Sequence, residues 1–381
     1  MDSPAMLPIA VVGGGIGGLD AAIALRAEGF PVQVYEQAET KRERGAAIGL
    51  RASTVRILYG WGLADAYEPC VYRFDTIRLL RGDTGRAHGE IALADAAGES
   101  GENWHDSIRR GDLHRLLSSL VPAGSVHLSR RCEEVLDHGD HVELRFAGGG
   151  SARALAVVGA DGIHSRIRRT IARDRAVYSG LRSCPGIVRA DHVRDLVPEP
   201  RALMWELAEQ RSFFVVMPVQ HGDYLGFDAI LPAAETGDES WRDTITRDQL
   251  VHRLDGFAPA VPELVSRVPE TEVIAFSMYD REPIPRWTSN RITLLGDAAH
   301  PMLPSEGQGA NLAVHDAVAL AEHLRDADAG GIPAALQRYS DARAPIAAEI
   351  QRMSREMSPF RRLQPAPGAA ATPGSAPYGS V

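Results

Sequence analysis

The chain has 381 residues, 44% of them hydrophobic, and a formal net charge of −9. This length fits two domains or one large domain with a sizeable core, and the acidic balance argues against a nucleic-acid partner. No apolar run approaches the roughly eighteen residues of a membrane span, and no signal peptide is evident, so we expect a cytoplasmic protein. Cys70, Cys132 and Cys184 lack metal-ligand spacing, which favours buried thiols and predicts no metal site.

The first element in chain order is a strand, a glycine-rich turn and a helix. Residues 9–12 form an apolar strand, and the next strand ends at Glu36. In such units the glycines let a pyrophosphate approach the helix N-terminus, and the acid accepts hydrogen bonds from a ribose. The pattern predicts a dinucleotide site but does not separate FAD from NAD. The glycines that match G-x-G-x-x-G are Gly13, Gly15 and Gly18.

Two further acids also follow apolar strands. Asp161 comes after the strand at 154–158 and precedes a basic stretch, 164–170, that we predict to be helical, with its arginines on a solvated face. Asp297 comes after the strand at 292–295. Ligands of open α/β sheets bind at the carboxyl ends of strands. Three such elements, spread along the chain, indicate one extended dinucleotide rather than a small NAD module.

A Pro/Gly loop over 301–309 follows Asp297, and a helix is predicted over 310–324. Glycine N–H groups at a helix N-terminus suit an electron-rich carbonyl or a developing anion, such as the pyrimidine edge of a reduced flavin. The candidate cofactor contacts here are Pro304, Gly307, Gly309, Ala310 and Asn311.

The middle of the chain contains three strand-like runs, at 202–207, 212–217 and 224–231, and short helices at 248–257 and 262–267. We predict an antiparallel sheet that covers the substrate. Its apolar candidates are Phe213, Met217 and Phe227, although alternation along a strand lets only about half of such residues face the ligand. Arg51 is a candidate partner for an anionic group of the substrate.

These motifs resemble those of the class A flavoprotein aromatic hydroxylases, the family of p-hydroxybenzoate and salicylate hydroxylases. The resemblance implies that the glycines and Glu36 hold the ADP half of FAD, and that Asp161 belongs to a motif associated with FAD and NAD(P)H. It also implies that Asp297 contacts the ribityl chain and that Ala47 and Arg110, in R-x-D-L-x-x-x-L, reach the cofactor. One departure is that the strand ending at Pro218 lacks the His and Tyr common in salicylate-type enzymes.

The implied fold is α/β: a Rossmann-like FAD-binding domain of the GR2 type, as in p-hydroxybenzoate hydroxylase, with an inserted α+β substrate domain covered by an antiparallel sheet, and C-terminal helices. The predicted FAD-binding domain comprises 5–70, 105–175 and 276–328, and the substrate domain 71–104 and 176–275. The predicted C-terminal helices span 329–363, and the predicted disordered tail spans 364–381.

The predicted function is a monooxygenase that uses FAD, NADH or NADPH, and O2 to hydroxylate an electron-rich aromatic, heteroaromatic or polycyclic molecule through a flavin C4a-hydroperoxide. An alkene epoxidase, a flavin reductase or dehydrogenase, and a flavin-binding protein without turnover remain as alternatives. No catalytic residue is assigned. The substrate, the choice between NADH and NADPH, and a monomeric or homodimeric state stay open.

Overall fold

A computed structural model describes residues 6–40, 47–93, 104–233, 245–304 and 307–356. The chain forms two compact units. The first comprises residues 1–43, 113–177 and 279–355, and the second comprises 44–112, 178–278 and 356–381. The predicted tail at 364–381 lies outside the described residues.

Strands and helices are numbered in chain order. The strands are β1 (Ile9–Val12), β2 (Val32–Tyr35), β3 (Ala47–Arg51), β4 (Val71–Phe74), β5 (Thr76–Arg81), β6 (Ala87–Ala92), β7 (His105–Arg109), β8 (Val126–His127), β9 (Cys132–Asp137), β10 (Val142–Phe146), β11 (Ser151–Ala154), β12 (Ala156–Gly159), β13 (Val177–Arg189), β14 (Leu203–Leu207), β15 (Ser212–Val219), β16 (Tyr224–Pro232), β17 (Phe276–Asp280), β18 (Thr288–Ser289) and β19 (Ile292–Leu294). The α-helices are α1 (Ile16–Ala27), α2 (Ala52–Gly60), α3 (Ala64–Tyr67), α4 (Arg110–Leu120), α5 (Arg247–Arg253), α6 (Ala260–Ser266), α7 (Gln308–Leu324) and α8 (Ile332–Glu356).

The first unit is built on a six-stranded sheet in the order β18-β19-β12-β1-β2-β8. All neighbours from β19 to β8 pair in parallel, and β18 pairs with β19 antiparallel. Strands β1 and β12 are fully buried, which explains their uninterrupted apolar sequences. Helix α7 packs on α1, where a Cβ at Gly17 would lie only 3.4 Å from that of Ala313. A smaller antiparallel sheet, β11-β10-β9, completes the strands of this unit.

Two predicted helical regions differ from the structure. Residues 164–170 contain only a 3-10 turn, Arg168–Thr170, because the preceding segment bonds to the Asp161 carboxylate instead of forming helical bonds. The predicted C-terminal helices are one continuous helix, α8, with Pro345 inside it. This helix packs against the sheet, since the buried Tyr339 hydroxyl donates to the Leu294 carbonyl at 3.1 Å.

The second unit contains a seven-stranded sheet in the order β17-β13-β16-β15-β14-β5-β6. The three predicted strands are confirmed as β14, β15 and β16, which pair antiparallel, and the predicted helices as α5 and α6. One face of this sheet packs on α5 and α6 in a core that includes Trp205, Phe214 and Leu250.

The unit bounds differ from the predicted domain bounds in two places. Residues 44–70 and 105–112 belong to the second unit, because β3 and β7 pair with each other and β7 also pairs with β4. Residues 329–355 belong to the first unit, where α8 covers the sheet. No helix in the described part of the chain is long and apolar enough to cross a membrane.

Candidate active site

Three of the predicted acids lie along one edge of the parallel sheet in the first unit. Glu36 follows β2, Asp161 follows β12 and Asp297 follows β19, and these strands run in the same direction with β1 between β2 and β12. Their carboxyl ends therefore meet at the edge where open α/β sheets bind ligands.

The glycine-rich loop after β1 has two crowded positions and one open position. Gly13 has a φ of +110°, and a Cβ there would overlap the Ala160 carbonyl, while a Cβ on Gly18 would overlap the Gly13 carbonyl. Both positions require glycine on steric grounds. Gly15 differs, because a Cβ there would meet nothing within 4 Å and its backbone is extended. The protein leaves space beside Gly15, at the start of α1.

Helix α1 begins at this open position, with the Glu36 carboxylate bonded to the N–H of Gly14 just before it. Gly15 is the N-cap, no side chain caps the helix, and its first turn carries no acidic residue in the described structure. The free N–H groups and the helix dipole favour an anion at such a terminus. The loop thus fits a pyrophosphate.

Glu36 holds the glycine loop in place. Its Oε2 accepts a hydrogen bond from the Gly14 N–H at 2.6 Å, and its Oε1 accepts one from the Ala38 N–H at 2.7 Å. A carboxylate offers about four lone-pair sites, so each oxygen keeps capacity for a further donor. A ring nitrogen of His114, on α4, lies 2.8 Å from the Gly14 carbonyl oxygen, a contact that no sequence motif indicates.

Asp161 is engaged by the chain that follows it. One carboxylate oxygen accepts from the Ser165 hydroxyl, and the other accepts from the N–H groups of Arg166 at 2.7 Å and Ile167 at 3.3 Å. Burial raises the pKa of Asp161, and these hydrogen bonds act in the opposite direction. Asp161 therefore organises the loop after β12.

Arg168 connects that loop to the segment after β19. It is 1% exposed, pairs with Asp174 at 2.9 Å, and donates to the carbonyls of Ala298 and Ala299 at 3.0 and 2.6 Å. The predicted solvated face is wrong for Arg168, whose guanidinium donates to buried carbonyls.

Asp297 and the start of α7 lie close together. A Cβ on Gly309 would stand 3.8 Å from Oδ1 of Asp297, and Asp297 is exposed although its neighbours are buried. Gly307 is the left-handed N-cap of α7 with a φ of +62°, and its N–H donates to the Pro304 carbonyl at 3.1 Å. Asn311 donates to the Gly307 carbonyl at 2.9 Å, and Ala310 is partly exposed beside it.

A buried charge cluster fixes the base of this segment. Nε2 of His300 lies 2.5 Å from Oδ2 of Asp316, and Arg343 donates to Oδ1 of Asp316 at 2.7 Å. Both His300 and Asp316 are fully buried. Burial raises the pKa of Asp316, but His300 and Arg343 outweigh it and leave the pKa below its ordinary value. His300 thus connects the segment after β19 to α7.

The remaining predicted cofactor residues, Ala47 and Arg110, lie in the second unit together with Arg51. Ala47 begins β3, and its Cβ occupies the space above Gly226 in β16. Arg51 ends β3 as the N-cap of α2, and Arg110 is an exposed residue at the start of α4.

The apolar substrate candidates separate onto two faces of the seven-stranded sheet. Phe227 lies in the core, stacked on Phe214 with ring centroids 5.2 Å apart. Phe213 and Met217 point to the other face, because residues an odd number apart on a strand alternate. The expectation for Phe227 is corrected accordingly: it is a core residue, 2% exposed, and not a wall of the substrate site.

A model of the FAD-binding-domain family matches residues 6–354. The chain belongs to this family, the class A flavin hydroxylases. The FAD-dependent hydroxylase is 37% identical over 348 residues to the 3-amino-4-hydroxybenzoate 2-monooxygenase PtnB3 of Streptomyces platensis, covering 91% of this chain and 87% of that protein. It is 30% identical to the 6-hydroxynicotinate 3-monooxygenase of Pseudomonas fluorescens, covering 91% of this chain and 90% of that protein.

A solved structure agrees with these sequence relatives. Klebsiella pneumoniae HpxO in complex with FAD and uric acid superposes with a TM-score of 0.82 and 27% identity, covering 92% of this chain and 88% of that one. The predicted fold and the predicted FAD dependence of this flavin hydroxylase are thereby confirmed. No group of three or more metal-ligating side chains occurs in the described residues.

Proposed function

We propose that this flavin hydroxylase inserts one oxygen atom of O2 into a small aromatic or heteroaromatic acid that carries a ring hydroxyl or amino group, with NADH or NADPH as the reductant. The names of two relatives, a 3-amino-4-hydroxybenzoate and a 6-hydroxynicotinate monooxygenase, support this substrate class. Bound FAD would take electrons from the nicotinamide and activate O2. The protein itself would bind and orient the cofactor and the substrate and shield them from water.

The observation that carries this proposal is the edge of the parallel sheet where the glycine loop, three acids and the N-terminus of α7 meet. We assign the pyrophosphate to the open space beside Gly15, where α1 supplies its free N–H groups. Glu36 would accept from the ribose hydroxyls with its remaining lone pairs while it holds Gly14. Asp297 would accept from the ribityl hydroxyls.

The N-terminus of α7 is suited to stabilise negative charge on the flavin ring. Gly307 is its N-cap, no side-chain cap is present in the described structure, and its first turn carries no acid. Donors fixed by the fold, such as the Gly309 N–H, need no reorganisation when charge develops. Asp161 and Arg168 act indirectly, because their bonds to the protein keep the two flanking loops in shape.

The second unit would provide the substrate side of the reaction. Phe213 and Met217 share the sheet face that α5 and α6 leave uncovered, and an apolar wall there would exclude water from a bound substrate. Arg51 is the candidate partner for the carboxylate of an aromatic acid, since a guanidinium binds a carboxylate in a bidentate manner.

The test is oxygen incorporation. The FAD-loaded protein is incubated with NADH or NADPH, labelled O2, and either 3-amino-4-hydroxybenzoate or 6-hydroxynicotinate, and products are read by mass spectrometry. One labelled oxygen atom in a ring hydroxyl supports the proposal. NAD(P)H oxidation that both of these substrates stimulate but that yields only H2O2 contradicts the proposal. Labelled epoxide formed from an alkene would favour the alternative function, an epoxidase. Absence of flavin absorbance at about 450 nm after FAD addition would contradict the cofactor assignment itself.

A further inference from the structure

Asp228 places a carboxyl group on the largely apolar face that we assign to the substrate. Asp228, in β16, pairs in register with Val215 of β15 and with Pro185 of β13, and Val215 in turn pairs with Met204 of β14. Cross-strand partners share a face, so these four side chains form one row across the sheet. The core on the opposite face takes the alternate residues of β16, Leu225, Phe227, Ala229 and Leu231.

The exposure of this row indicates accessible space above it. Asp228, Val215 and Met204 are partly exposed, whereas the adjacent Ser183 and Ile230 are buried. Pro185, the fourth member of the row, is buried. A second carboxyl group, that of Glu206, is on the same face, because Glu206 pairs with Phe213 of β15. A mostly apolar face with a partly exposed carboxyl group has the composition expected of a site for an aromatic ring that carries one polar donor.

Asp228 is held in a fixed position. The Ser183 hydroxyl lies 2.8 Å from both of its carboxylate oxygens, so it donates to either one, and the Cys184 N–H also contributes a hydrogen bond. Burial raises the pKa of Asp228 to about 7, although these two hydrogen bonds lower it. A carboxylate with a pKa close to the working pH suits general-base catalysis.

Other titratable groups lie on the strands around Asp228, and of these Arg182 of β13 pairs with Leu231 and therefore faces the core. Tyr224 begins β16, and the Arg189 guanidinium lies 5.8 Å from its ring. Glu206 of β14 pairs with His88 at 3.3 Å. Strand β3, whose Ala47 packs above Gly226, contributes Arg51 as its charged residue, and none of these groups contributes to the pKa shift of Asp228.

We propose that Asp228 binds the ring hydroxyl of the substrate and takes its proton, an inference that rests on the proposed function. The O–H bond of the hydroxyl breaks, the proton passes to a carboxylate oxygen of Asp228, and the electron pair remains on the ring oxygen. The ring becomes more electron-rich at the positions ortho and para to that oxygen, which favours attack by an electrophilic oxygen. Asp228 thereby takes the place of the His and Tyr that the preceding strand lacks. Ser183 is a positioning residue for it.

The experiment compares Asp228→Asn, Ser183→Ala and the control Asp223→Asn in the FAD-loaded enzyme, with 3-amino-4-hydroxybenzoate and 6-hydroxynicotinate as substrates. Asp223 is an exposed residue of the turn before β16, and its substitution removes the same charge. We expect Asp228→Asn to lower kcat/KM by at least about 100-fold, with flavin absorbance and Tm retained, and to abolish the loss of kcat/KM below about pH 7. Ser183→Ala should move that loss to higher pH, because a donor that lowers the pKa is removed. Asp223→Asn should match the wild type.

Binding gives a second readout without turnover. Near-ultraviolet titration of the oxidised enzyme with 6-hydroxynicotinate should show the deprotonated ring at neutral pH in the wild type and the protonated ring in Asp228→Asn. The inference is overturned if Asp228→Asn keeps kcat/KM within about twofold with the same pH profile. If that variant does not fold, an unchanged pH profile in Ser183→Ala overturns it instead. A wild-type enzyme that hydroxylates neither substrate would refute the proposed function, and this result is distinct from a failure of the role assigned to Asp228.

Discussion

Substitution of Gly15 by alanine tests the pyrophosphate assignment with little effect on the fold. The added Cβ would meet no protein atom within 4 Å, and the backbone there is extended. Alanine is a poorer N-cap than glycine by roughly 0.5–1 kcal/mol. It also restricts the unfolded chain, which stabilises the folded state by about 0.4–1 kcal/mol. The two effects offset each other, so the free energy of unfolding of the apoprotein should change by less than about 0.5 kcal/mol.

FAD binding should respond quite differently to the same substitution. A methyl group in the space assigned to the pyrophosphate would displace it from the N–H groups of α1, and losing one such charge-assisted bond costs about 1.5–3 kcal/mol. The Kd for FAD should therefore rise roughly 10- to 100-fold. Quenching of FAD fluorescence on titration into apoprotein measures the Kd, and urea unfolding measures stability.

Gly124→Ala is the matched control, because Gly124 also has open space around its Cβ position and belongs to the same unit. It should leave both quantities unchanged. An unaltered FAD Kd in Gly15→Ala would refute the placement of the pyrophosphate beside this residue. A large loss of apoprotein stability would instead refute the reading of the Gly15 surroundings as open.

Four further substitutions test the packing around the site. Arg168→Lys should destabilise the protein by about 3 kcal/mol in urea unfolding, since an ammonium cannot replace a buried fork of donors, and a stability equal to wild type would contradict this. Asp316→Asn should cost about 3 kcal/mol at pH 7, because it removes the carboxylate that accepts from the largely buried Arg343 guanidinium. The lowered pKa of Asp316 stabilises the fold at pH values above the unfolded pKa of about 3.9, and this contribution is lost as pH falls through the folded pKa. The difference in unfolding free energy between wild type and variant should therefore shrink below about pH 4. A difference that does not change with pH would contradict this reasoning. Phe227→Ala should cost about 3–5 kcal/mol of stability, whereas Met217→Ala should raise KM for the aromatic substrate with a smaller stability loss. A raised KM in Phe227→Ala together with the larger stability loss in Met217→Ala would contradict the faces assigned to these two residues.

Local patterns were sufficient to predict the cofactor half of the molecule. The strand, glycine loop and helix around Gly13 and Gly18 form as expected, because steric crowding allows only glycine there. The start of α7 was predicted within two residues. These features depend on turn chemistry and short-range periodicity, which a sequence displays directly.

Features that depend on long-range contacts were missed. The arginine-rich stretch 164–170 is predicted to be a solvated helix, but Arg168 donates to backbone carbonyls about 130 residues further along the chain. Phe213 and Phe227 look equivalent in sequence, and only the register between β15 and β16 shows that they lie on opposite faces. The sequence does not single out Asp228 for the same reason, since the role of one acid in an apolar strand depends on its cross-strand neighbours.

The central pairings of the parallel sheet join remote parts of the chain: β1 to β12 brings Ile9 beside Ala156, and β12 to β19 brings Val157 beside Ile292. The loops that follow these strands come together only when both pairings have formed, so a partly folded chain has no place for the dinucleotide. Such high contact order makes sheet assembly slow. FAD should consequently leave the folding rate unchanged while slowing unfolding and protecting the finished protein by mass action. A yellow colour in a freshly made preparation would then report chains whose sheet is complete, whereas the colourless fraction would contain folded apoprotein as well as chains that have yet to form these pairings.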